Sequence, residues 1–180
     1  MVLPFGVRKL EGLEEIVFRN YLGEAKIIVE DNVVYEKHPK SQRYVLVVNN
    51  GFLLGYGTNS APKGYSYFGK DVGCVKNFFN EMDIHAEEKA LDMALDFFGS
   101  SFVKGSTVFH VAYKNGFLTA SGEPSCINCS KRMVNLGVGE VVLYNNDSVW
   151  GESGLYAYES RVFHNLTGDS MKINVRKFMD

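Results

Sequence analysis

Ile84-His85-Ala86-Glu87-Glu88-Lys89-Ala90-Leu91-Asp92-Met93-Ala94-Leu95-Asp96-Phe97-Phe98 is the stretch whose reading decides the fold. Ala86, Ala90, Leu91, Ala94, Leu95 and Phe98 recur at three- and four-residue steps, which predicts an amphipathic helix over 84–98. Its first turn carries an imidazole and a carboxylate two residues apart. Taken alone, His85 reads as a structural histidine and Glu87 as a solvated helix carboxylate.

Forty-one positions after His85 (126 − 85) stands Cys126-Ile127-Asn128-Cys129. Residues 126–136 predict a short helix ending near Gly137. Residues three apart share a helix face, so both sulfurs point to one place. A helix N-terminus also lowers a thiol's pKa and favours the thiolate, the form that binds metal. By itself a C-x-x-C fits a redox dithiol, half of a zinc site or coincidence. With His85 added, three donors close three sides of a zinc tetrahedron and leave the fourth to water, the arrangement of a catalytic site. Zinc acidifies such a water toward neutral pH, and Glu87 is placed to shuttle its proton to a leaving group.

Working outward, Tyr44-Val45-Leu46-Val47-Val48 is a β-rich run. Asn49-Asn50-Gly51 supplies a hairpin turn and Phe52 to Tyr56 returns. Ser106 to Tyr113 predicts a strand, and Lys114-Asn115-Gly116 turns into Phe117-Leu118-Thr119. Glu140 to Tyr144 is an apolar run that predicts a buried strand. Before these, Leu13, Ile16, Val17, Tyr21, Ala25, Ile28 and Val29 predict a helix from about Leu10 to Asn32, ended at the latest by His38-Pro39. The sequence beyond 145 predicts a helix around Tyr156 to Phe163 and a strand near Lys172 to Val175. The order of elements implies an α/β sandwich whose sheet is covered by helices. No repeat or linker divides the chain, so residues 1–180 are expected to form one domain, with its core over about 10–145 and an extension of open structure over 145–180.

Bulk properties narrow the function classes. With 180 residues and 46% hydrophobic content, the chain can bury one substantial core. A net charge of −2 disfavours a surface dominated by nucleic-acid contacts. No apolar run approaches the roughly 18 residues of a membrane helix. Met1 to Leu10 does not read as a signal peptide, and a cytoplasmic location is expected. Three cysteines, Cys74, Cys126 and Cys129, argue against a disulfide framework.

His85-Ala86-Glu87 with Pro124-Ser125-Cys126-Ile127-Asn128-Cys129 resembles the H-x-E…P-C-x-x-C signature of zinc nucleobase deaminases. Over about residues 10–145 the chain resembles the cytidine/deoxycytidylate deaminase superfamily. Gly55-Tyr56-Gly57-Thr58-Asn59 is similar to the family's hairpin end and G-x-N element. Ile84 to Leu91 is similar to its I-H-A-E-x-N-A-I run, and Gly137 to Tyr144 to its G-I-x-x-V-V-Y strand.

The resemblance implies a three-layer α/β/α sandwich on a mixed, roughly five-stranded sheet. It makes Zn2+ the cofactor, His85, Cys126 and Cys129 the ligands and Glu87 the catalytic proton shuttle. Asn59, the backbone of Ala86 and the backbone at Ser125 would hold the substrate. The implied activity is that of a zinc-dependent hydrolase on the C–N bond of a cyclic amidine: zinc-hydroxide attack deaminates a cytosine-type nucleotide or nucleoside. The substrate partner is then a small pyrimidine nucleotide or nucleoside, and a homo-oligomer is expected.

The chain departs from the family pattern at two places. Ser125 stands where proline usually precedes the first cysteine, beside the carbonyl that receives the leaving amino group. Lys89 replaces an asparagine, a change expected to touch packing. Lys63 and Lys70, in the long connection over 59–82, read as solvated loop lysines; the alternative, which the resemblance implies, is contact with a nucleotide phosphate. Tyr65, Tyr67 and Phe68 either stack on a base or pin that loop. Trp150 is a lid or a packing residue, Cys74 a buried or loop thiol, and His110 a core or edge residue of its strand. The competing functions are deamination of another base or of single-stranded nucleic acid, a non-catalytic deaminase-fold binding module, and a C-x-x-C redox protein.

Overall fold

The computed structural model describes residues 3–21, 42–59, 84–114, 117–119, 126–145 and 151–177. Among them lie the strands β1 (Val7–Lys9), β2 (Gln42–Asn49), β3 (Phe52–Thr58), β4 (Thr107–Lys114), β5 (Phe117–Thr119), β6 (Glu140–Asn145) and β7 (Gly154–Glu159). The helices are α1 (13–21), α2 (Ala86–Phe98), the single-turn α3 (Ser100–Val103), α4 (Ile127–Leu136) and α5 (Ser160–Lys177).

The strands join in one mixed sheet in the order β1-β7-β6-β4-β2-β3. β4 and β6 run parallel, and the other neighbours pair antiparallel. β6 pairs with residues 107–110 of β4, whereas the short β5 pairs with residues 112–114. The described strands number seven against the roughly five expected; the three-residue β1 and β5 make the difference.

Alternation along the strands sends side chains into two cores. Val45, Val47, Val108, Val141 and Leu143 face α2, α4 and α5, where Leu91, Met133 and Phe163 are buried. Tyr44, Leu46, Val48, Phe109 and Val142 face the opposite way, toward Phe18 of α1. This is the expected three-layer α/β/α sandwich with a mixed sheet.

The β2–β3 hairpin turns at Asn50 (φ 48°) and Gly51 (φ 81°), the left-handed pair that a two-residue turn needs. α4 stops where Gly137 takes the left-handed conformation (φ 74°) and its N–H returns to the helix. Both features follow the sequence expectation.

Three expectations need correction. In the N-terminal helix Leu13, Ile16 and Val17 are exposed, and Phe18 is the buried anchor, stacked on Phe109 with centroids 4.6 Å apart. The helix is turned about one residue from the apolar stripe because its contact with the sheet runs through that ring. Residues 22–32 of this expected helix lie outside the described ones.

The helix expected from Tyr156 is strand β7 up to Glu159, and only Ser160 begins a helix. Tyr156 and Tyr158 enter one core while Leu155 and Ala157 enter the other. A strand buried on both faces shows no alternation, so its apolar run is open to a helical reading. The expected strand at Lys172 to Val175 lies inside α5. Among the described residues no helix is long and apolar enough to cross a membrane.

Candidate metal centre

Both motifs stand at helix starts. His85 is the N-cap residue of α2 in extended conformation (φ −70°, ψ 145°), and Cys126 is that of α4 (φ −51°, ψ 136°). The crossover from β4 through α4 to the parallel β6 lays α4 on the same face as α2.

α2 is fixed in height and depth by β3. A Cβ on Gly55 would lie 2.3 Å from the carbonyl oxygen of Ala90, and one on Gly57 2.3 Å from that of Ala86. Glycines two apart on one strand face thus meet helix residues four apart, and Ala86, Ala90 and Ala94 keep the helix side equally thin. Strand and helix backbones pack directly against each other. Lys89 belongs to this packing, its Cβ 2.9 Å from the position a Gly57 Cβ would take, and burial pushes its amine below the usual range. That agrees with a packing role for the residue.

The result is convergence. Donor atoms of His85, Cys126 and Cys129 all lie within 4.8 Å of one another. The ring Nδ1 of His85 is 3.3 Å from Cys129 Sγ. Donors at ordinary Zn–N and Zn–S lengths on a tetrahedron would be about 3.6 Å apart. The set also fits zinc in chemistry, being two sulfurs and one imidazole. Cys126 and Cys129 are free thiols, the first half-buried and the second buried. Burial pushes the Cys129 thiol up, and the nearby Glu87 and Cys126 push in the same direction. A cation among the three donors would reverse that penalty, because it favours the thiolate.

Glu87, in the first turn of α2, is only 4% exposed. Beneath it lies His110 of β4, also buried, with Nε2 4.0 Å from Glu87 Oε1. Burial pushes the His110 imidazole below its ordinary value, and Glu87 partly opposes the shift. His110 takes the same strand face as Val108, the α2 face. The sequence marked it only as a core or edge residue. The signal that pairs it with Glu87 is a polar residue at an inward position of an apolar strand, and sequence alone does not say what faces it.

Asn59 follows β3 and is 8% exposed, with its Oδ1 accepting the backbone N–H of Arg43 at 2.9 Å. Ala86 is buried as the first residue of α2. Ser125, Pro124, Cys74, Lys63, Lys70, Tyr65, Tyr67, Phe68 and Trp150 lie outside the described residues.

No family model and no curated protein sequence matches the chain. Among solved structures it is similar to the dCMP deaminase from the cyanophage S-TIM5 in apo form, with 24% identity and a TM-score of 0.47 over 73% of this chain and 82% of that one. The same phage enzyme in complex with dCMP and dUMP gives 23% identity and a TM-score of 0.48 over 73% and 82%. The likeness is one of overall fold.

Proposed function

We propose that the protein is a zinc-dependent deaminase that removes the exocyclic amino group of a cytosine-type nucleotide or nucleoside by hydrolysis. The observation that carries this reading is the meeting of His85, Cys126 and Cys129 beside the buried carboxylate of Glu87. Zinc at the three donors would supply the acidification of a water molecule that makes it a nucleophile near neutral pH.

The chain's own residues do the rest. His85 turns Nδ1 toward the sulfurs, which sets its donor atom. Glu87 would take one proton from the attacking water and give it to the ring nitrogen, then move the second, from the newly added hydroxyl, to the amino group, which leaves as ammonia while the carbonyl forms. Its burial keeps bulk water from competing for those protons. The amide of Asn59 and the backbone of Ala86 and Ser125 are proposed to hold the base and sugar. The preference for cytosine rests on the motif resemblance, as does the expected homo-oligomer.

A redox dithiol is the less favoured reading. It predicts no use for Glu87, buried on the adjoining helix, and no bound zinc. A binding module without activity has no use for Glu87 in particular.

The test is an ammonia-release screen with zinc-loaded protein across cytosine, cytidine, deoxycytidine, their monophosphates, guanine and single-stranded nucleic acid. Release from cytosine nucleosides or nucleotides is expected. Release confined to the monophosphates assigns a phosphate contact, and release from guanine or from a polymer replaces the substrate class.

A further inference from the structure

We propose that His164 of α5 is a positioning residue for the cysteine pair, holding the first turn of α4 in the shape that brings Cys126 and Cys129 to the imidazole of His85. The idea rests on the metal reading of that site, but its geometry lies one layer behind it.

Ser130 follows Cys129 directly and is fully buried. Its backbone N–H donates to Cys126 O at 3.0 Å, and its hydroxyl donates to Ile127 O at 3.0 Å. These two bonds close the turn that carries both cysteines. The Ser130 oxygen is also 2.9 Å from Nδ1 of His164. A serine hydroxyl has one proton. In the tautomer with a proton on Nδ1, the imidazole donates to the Ser130 oxygen while the hydroxyl donates to Ile127 O.

α5 meets the same turn again one helical turn later, where a Cβ on Gly168 would sit 3.8 Å from Ile127 Cδ1. Thr167, buried between them, spends its hydroxyl within α5 on Phe163 O at 2.9 Å. A polar tie from α5 to the cysteine turn thus runs through His164, and it ends on the residue next to a proposed ligand. Groups that orient metal ligands from behind are typically worth about 10- to 100-fold in metal affinity.

The experiment compares the full chain with His164→Leu, His164→Asn, Ser130→Ala and the double variant Ser130→Ala/His164→Leu. Two quantities are read: the alkylation rate of Cys129 by iodoacetamide in metal-free protein, followed by mass mapping, and zinc affinity by chelator competition. His164→Leu is expected to speed Cys129 alkylation about tenfold and to weaken zinc binding about 10- to 100-fold. His164→Asn, whose amide N–H reaches toward the same oxygen, is expected to restore both to within about threefold of the unmodified protein.

Ser130→Ala, which also loses the bond to Ile127 O, should be at least as strong as His164→Leu, and the double variant should be no worse than Ser130→Ala. Equal alkylation rates in the unmodified and His164→Leu proteins would overturn the proposal, as would an asparagine variant no better than leucine. If His164→Leu does not fold, His164→Ala against His164→Asn decides by the same rates. If the unmodified protein binds no zinc, the metal reading fails, while the alkylation rates still decide the role of His164.

Discussion

His85 Nδ1 lies 3.3 Å from Cys129 Sγ, although the two residues belong to the first turns of different helices. The contact exists because β3 fixes the depth of α2 and the parallel crossover fixes the start of α4. With Cys126 the two residues form a compact donor set on the sheet's α2 face. Cys129→Ser should therefore lower bound zinc from about one per chain to a small fraction, since a hydroxyl is a poor ligand for the ion. It should also remove the zinc-dependent part of thermal stability, because binding to the folded state alone stabilises it. Metal analysis and melting with and without a chelator check this. A serine variant that keeps its zinc and its chelator-sensitive melt would contradict it.

Gly57 is a second test of the same geometry. A methyl group placed there would lie 2.3 Å from the Ala86 carbonyl oxygen and 2.8 Å from the Ala90 nitrogen, both backbone atoms that cannot swing aside. Gly57→Ala should cost about 1–3 kcal/mol, the usual range for overpacking, and should weaken metal binding because α2 moves with His85. Urea unfolding and zinc titration measure the two effects. An unchanged urea midpoint would mean that the helix does not rest on the strand as described.

Much of this arrangement was legible in the sequence. The α2 stripe from Ala86 to Ala94, the Asn50-Gly51 turn and the Gly137 cap are local signals and lie where expected, whereas Phe98 at the end of the stripe is exposed. The meeting of His85, Cys126 and Cys129 was legible because sulfur and imidazole at helix starts suggest a shared role. The C-terminal stretch was not. Leu155 to Tyr158 is apolar at every position because both faces of β7 are buried, so periodicity had nothing to report. Phe18 was passed over as the anchor of α1 because only the facing Phe109 gives that ring its place. The pairings of Glu87 with His110 and of Ser130 with His164 depend on contacts across elements, and no spacing in the chain encodes them.

His110 gives a pH dependence with a definite sign. Burial lowers its folded-state pKa, so the unfolded chain binds a proton more readily than the folded one. The associated stability is fully present above the unfolded value of about 6.5 and is lost progressively as pH falls from there through the lower folded value. Metal-free protein should unfold at lower urea concentration at about pH 5 than at about pH 8. His110→Leu should flatten that difference, and an identical pH profile in the variant would assign the loss to other groups.

Glu87 bears the central claim, because a metal site alone does not make a deaminase. Glu87→Gln keeps the shape of the side chain and removes its ability to take a proton. The direct measurement is the rate of ammonia release from cytosine nucleosides and nucleotides by zinc-loaded unmodified protein and by zinc-loaded Glu87→Gln. The expected result is turnover by the first and a loss of about 10²- to 10⁴-fold in the second at equal zinc content. No release by the unmodified protein from any cytosine compound, or an undiminished rate in the glutamine variant, would contradict it.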